Sequence, residues 1–134
     1  ELFRRLLATE PPKPEPDGSA ADRITALLVG TARRMVEQQQ LARFVYSLPL
    51  RHDALLGEQA VRPGFVDTLA RLVGECVSRG ELRDDLPPET LVGHVMRAFE
   101  AAMREWAAGH TDDPSAHVAR MVELALHGCR ATRS

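Results

Sequence analysis

Glu123 and His127 stand one helical turn apart, a spacing that can bring a carboxylate and an imidazole to one metal ion. No third ligand accompanies them and there is no HExxH, so the pair is expected to be two neighbours on the polar face of a helix. His52, Asp53, Arg43 and His94 could orient a bound molecule, although each such group is more often a solvated or satisfied one at the surface. Cys76 and Cys129 lie far apart, without CxxC spacing and each on the apolar side of a helical pattern, which predicts two buried reduced thiols. No Gly-rich phosphate loop, GxSxG or Cys–His pairing is present, so no catalysis, metal or cofactor is expected.

What is left is binding by apolar side chains. Phe44, Tyr46, Phe65, Leu69, Leu72, Met96, Phe99 and Met103 could line a pocket, because methionine and aromatic rings repack around a ligand; the competing expectation is an ordinary filled core. Tyr46, the single tyrosine, and Trp106, the single tryptophan, each carry a polar group that wants a partner when buried. Trp106 is expected to pack near the end of its helix.

The elements that must position these residues all read as helices. Leu2, Phe3, Leu6 and Leu7 repeat at helical spacing over Glu1–Ala8, and the prolines of Pro11–Gly18 end that helix in an extended loop. Ser19 is an N-cap, with Asp22 in the capping-box position, for a helix whose stripe is Ile24, Leu27, Leu28, Thr31 and Met35. Gln38–Gln40 interrupts it; Leu41, Phe44, Val45 and Leu48 then give a short helix that Pro49 stops. Arg51–Arg62 is ambiguous, a short helix weakened by Gly57. Phe65–Arg79 is a central helix, with Phe65, Leu69, Leu72 and Cys76 on one side and Gly80 placed for a left-handed turn. After the polar turn ELRDDL come two further helices, Pro88–Ala108 and Pro114–Gly128; Asp113 caps the second, whereas Pro87 offers the first no side-chain oxygen. No segment alternates with period two, so the chain is all-α, a bundle of about six helices.

The last two helices organise the rest. In the first, Leu91, Val92, Val95, Met96, Phe99, Ala102, Met103 and Trp106 fill an arc of about 140°, flanked by His94, Ala98, Ala101 and Glu105; in the second, apolar residues span about 220°, against the ~100° of a helix facing one core. One small domain can hardly cover both sides, so the expectation is that these helices pack inward on their own chain and outward on a second copy.

At 134 residues this is one domain. With 17 basic and 19 acidic residues, net charge −2, a single lysine (Lys13) and no basic stripe, these residues make a poor nucleic-acid surface. No apolar run approaches the ~18 residues of a membrane span and there is no signal peptide, so a soluble, cytoplasmic protein is expected. A helix entered at Glu1 without a cap suggests a native chain that continues upstream.

The string Gly80-Glu81-Leu82-Arg83-Asp84-Asp85-Leu86-Pro87-Pro88-Glu89, the long helix reaching Trp106-Ala107-Ala108-Gly109 and the closing Leu124-Ala125-Leu126-His127-Gly128 resemble the C-terminal regulatory domain of the tetracycline-repressor (TetR) family. Glu1-Leu2-Phe3 resembles the start of that family's linking helix, and Pro63–Gly80 its central pocket helix; Pro87 and the lack of a helix-turn-helix are departures. The resemblance implies a transcriptional regulator, a repressor, in which residues 1–9 end a helix leading from a DNA-binding domain missing from this sequence and residues 19–130 bind a small, largely apolar effector and dimerise. It implies a homodimer in which the last two helices form an intersubunit four-helix bundle, here through Leu91, His94, Ala98, Ala101, Ala102, Glu105, Val118, Met121, Val122 and Ala125. Effector binding would shift the linking helix and respace two DNA-reading heads, which must match half-sites about one helical turn apart. The alternatives are a helical small-molecule enzyme or metal-bundle protein, which needs ionisable groups converging in the core, and a purely structural dimerisation module, which needs the interface without the cavity.

Overall fold

A computed structural model describes residues 19–47 and 63–129. They form five helices: α1 Ala20–Val36, α2 Gln39–Ser47, α3 Pro63–Ser78, α4 Pro88–Ala107 and α5 Pro114–Cys129. The architecture is all-helical among the described residues, as expected. The expected first helix, its proline loop and the ambiguous Arg51–Arg62 stretch lie outside them.

The caps follow from side-chain chemistry. Ser19 Oγ accepts from the Asp22 amide at 3.0 Å at the start of α1, and Asp113 Oδ1 accepts from the Ala116 amide at 3.0 Å at the start of α5. Pro87 caps α4 without a side-chain hydrogen bond. Gly80, at φ +76°, ends the α3 turn in the left-handed region, where a Cβ is disfavoured. The break between α1 and α2 falls at Glu37–Gln38, earlier than the glutamine run suggested, with the Gln38 amide bonding to Met35 O at 3.0 Å.

α1 packs on α5, α3 and α2, while α4 packs on α5, α2 and α3. Ile24, Leu27, Leu28 and Met35 of α1 and Val95, Phe99, Met103 and Trp106 of α4 are buried in one core. Each such side chain contributes about 1.5–3 kcal/mol on leaving water. Arg23 of α1 pairs with Glu75 of α3, tying the two helices together.

The turn between α3 and α4 is less polar in its role than in its composition. Leu82 is buried, held where the Glu81 and Leu82 amides bond to Cys76 O and the Arg83 amide bonds to Cys129 O at 2.8 Å. The leucine thus plugs the space between the ends of α3 and α5. Arg83 stays outside and forks onto Asp85 through two 2.6 Å bonds, which hold the Asp85 carboxyl below its usual range.

Two expectations need correction. Phe44 is 52 % exposed, because α2 turns Ala42, Val45 and Tyr46 inward in place of the Leu41–Phe44 stripe. Leu91, Ala102, Val118 and Val122 are each at most 1 % exposed, and Ala125 7 %, within this single chain. They leave little or no surface for a second copy. The reason is that α5 is covered by α4 on one side and α1 on another, and α4 in turn by α5, α2 and α3, so one chain hides more of the wide arcs than expected.

Candidate functional site

Seven of the eight candidate lining residues come together. Tyr46 of α2, Phe65, Leu69 and Leu72 of α3, and Met96, Phe99 and Met103 of α4 belong to one core, none more than 4 % exposed. Their spacing makes this possible: i, i+4, i+7 on α3 and i, i+3, i+7 on α4 present one stripe from each helix. The Phe65 and Phe99 rings meet at 6.4 Å between centroids, tilted by 47°, a favourable edge-biased contact. Phe44 does not join them.

The polar groups at the rim of this cluster are held by helix ends. Tyr46 donates its phenol to Met35 Sδ at 3.4 Å. Burial, with the negative charge of Glu100 adding to it and Arg104 opposing, raises the phenol well above its ordinary range, so it stays a neutral donor. Arg104 reaches Glu100 at 2.9 Å and donates to Tyr46 O at 3.2 Å, near the end of α2. Arg43 returns the favour to α4: its guanidinium lies 4.5 Å over the Trp106 ring and donates to Trp106 O at 3.2 Å and Ala107 O at 3.5 Å. Each helix therefore supplies the arginine that caps the other, and Trp106 is buried near the end of α4 as expected.

Glu100 and Arg104 were not among the candidate residues, although their i, i+4 acid-to-base spacing on α4 was a usable signal. Arg43 was a candidate ligand-orienting group; its contacts with Trp106 and Ala107 are structural. His94 points to solvent, and His52 and Asp53 lie outside the described residues. Glu123 and His127 are exposed and, with Arg120 and Leu124, line an open cleft of about 450 Å³ on α5. Cys76 and Cys129 are buried and free, and burial together with Glu81 and Glu75 pushes the Cys76 thiol up to about 12. Among the described residues no three His, Cys, Asp or Glu side chains gather as a metal cage, and no helix is long and apolar enough to cross a membrane.

A second feature lies on the other side of α4. His94, Ala98, Ala101 and Glu105 form one stripe at i, i+4, i+7, i+11, and His117, Met121, Leu124 and Gly128 form its counterpart on α5. Glu105 Oε2 accepts from His117 Nε2 at 3.1 Å, joining the two. His94 and Gly128 are exposed, Ala98, Ala101, Glu105, His117 and Met121 are partly buried, and Leu124 is 70 % exposed. No family model matches this chain, and no curated protein or solved structure matches it.

Proposed function

We propose that this chain is the effector-binding and dimerising domain of a TetR-like transcriptional regulator, a cytoplasmic repressor released from operator DNA by a small, largely apolar ligand. DNA would be read by a helix-turn-helix domain outside these residues. The observation that carries the reading is the double use of α4. Its inward stripe, Met96, Phe99 and Met103, meets the aromatic and apolar side chains of α2 and α3, while its outward stripe, Ala98 and Ala101, is only partly buried, and Leu124 of α5 is exposed. A ligand that wedges among Tyr46, Phe65 and Phe99 has to displace α4, and α4 is the helix that would carry the displacement to a second copy. Such a ligand acts only through its unequal affinity for two arrangements of the pair. Methionine pairs suit this because they repack without a fixed shape.

The test is a thermal-shift panel of apolar small molecules on the wild-type chain and on Met96→Ala with Met103→Ala. The account predicts at least one ligand that raises the wild-type midpoint, with a changed ranking in the double variant. Identical ranking in both would remove those methionines from the lining. A purely structural dimerisation module is the second reading, favoured by how closely the same seven residues are packed; it predicts that no ligand in the panel shifts the midpoint.

A further inference from the structure

The seven side chains proposed above to receive a ligand carry a single polar group, the phenol of Tyr46, and that phenol is held by a weak partner. Tyr46 is 2 % exposed, and its O–H donates to the thioether of Met35, itself fully enclosed, at 3.4 Å. Sulfur of this kind is a poor acceptor, whereas an O–H···O bond closes to about 2.7–2.8 Å. A phenol has one proton to give, so an oxygen arriving here takes it from sulfur at a gain. Burial, with Glu100 adding to it, keeps the phenol protonated, which fixes it as a donor. Methionine is also well suited to leave, being unbranched and free to turn about three bonds.

The charges at this end of the cluster decide what kind of acceptor fits. Glu100 and Arg104 act on the phenol in opposite directions and pair with each other at 2.9 Å, and Arg104 also donates to Tyr46 O at 3.2 Å. The Glu100 side chain is only 12 % exposed. An anionic head would enter beside that carboxylate and compete with it for Arg104. A cationic head would meet Arg104 and has nothing with which to accept the phenol's proton. An uncharged oxygen meets neither obstacle and brings no charge out of water.

We infer that the ligand of this site is an apolar molecule carrying an uncharged carbonyl, which takes the Tyr46 O–H in place of Met35 Sδ. The inference rests on the effector-binding reading above. The probes are alkyl phenyl ketones of increasing chain length, each beside the alkene that has CH2 where the ketone has oxygen, so that the two share a shape. Affinities are measured by calorimetry on the whole chain. At the best chain length the ketone should bind the wild type about tenfold more tightly than its alkene, the worth of one buried hydrogen bond. Tyr46→Phe should abolish that ratio, and Met35→Leu, which removes the competing sulfur at nearly constant volume, should widen it. Because Tyr46 is the single tyrosine, tyrosine enriched at Cζ gives one NMR resonance, which the ketone should move further than the alkene. Phenylalkanoate and phenylalkylammonium ions of the same length should bind more weakly than the ketone. Equal affinity within every pair, or a ratio that survives in Tyr46→Phe, would overturn the inference, as would an ion that binds as well as the ketone. A wild-type chain that binds no member of the series would overturn it together with the effector-binding reading.

Discussion

Cys76 shows how burial decides chemistry at a single position. Its thiol is enclosed at the end of α3 and pushed up to about 12, from an ordinary value near 9, so the folded state holds a proton that the unfolded chain releases. Stability from this residue is therefore fully present below about pH 9 and lost as pH rises toward the folded value. The unfolding midpoint should fall between about pH 9 and 12 more steeply in the wild-type chain than in Cys76→Ala, measured by denaturant titration; parallel slopes would contradict the assignment. The two thiols were legible because both sit on apolar stripes. Phe44 was misplaced for a reason of the same kind: in a helix of two and a half turns, Leu41–Phe44–Val45 and Ala42–Val45–Tyr46 are both acceptable stripes. The choice is made by partners elsewhere in the chain, Met35 receiving the Tyr46 phenol and Trp106 receiving Arg43.

Helices were the most legible scale, since caps and breakers are local signals. Ser19, Asp113, Gly80 and Pro114 act where their side chains or backbone freedom say they should. Leu82 was not legible, because a lone leucine among charges carries no period and is buried only by the convergence of α3 and α5 on it. Two glycines give a test with opposite signs. A Cβ at Gly80 meets nothing within 4 Å, but φ there is +76°, so Gly80→Ala should cost about 1 kcal/mol through backbone strain alone. Gly74, inside α3, also has open space around it, so Gly74→Ala should stabilise by up to about 1 kcal/mol through helix propensity. Both are read from the denaturant midpoint at unchanged slope; two shifts of the same sign would contradict the backbone assignments.

For the whole molecule, the width of the apolar arc on α5 was visible in the sequence but its apportioning was not. Periodicity counts how much of a helix is apolar and says nothing about how many neighbours its own chain will supply. Here α1 and α4 both cover α5, and α5, α2 and α3 cover α4, so Leu91, Ala102, Val118 and Val122 serve the chain's own core. The outward face shrinks to Ala98, Ala101, Met121 and Leu124, with Glu105 and His117 at one end. If two copies pair there, as proposed, Ala98 is the place where a charge would do most damage to pairing with least damage to folding, being only partly buried.

Sedimentation at low micromolar concentration tests the central claim most directly. The wild-type chain should run at twice its 14.8 kDa mass, and Ala98→Glu should run as a monomer with unchanged helical circular dichroism. A wild-type chain of single mass, or an Ala98→Glu dimer as stable as the wild type, would contradict the account.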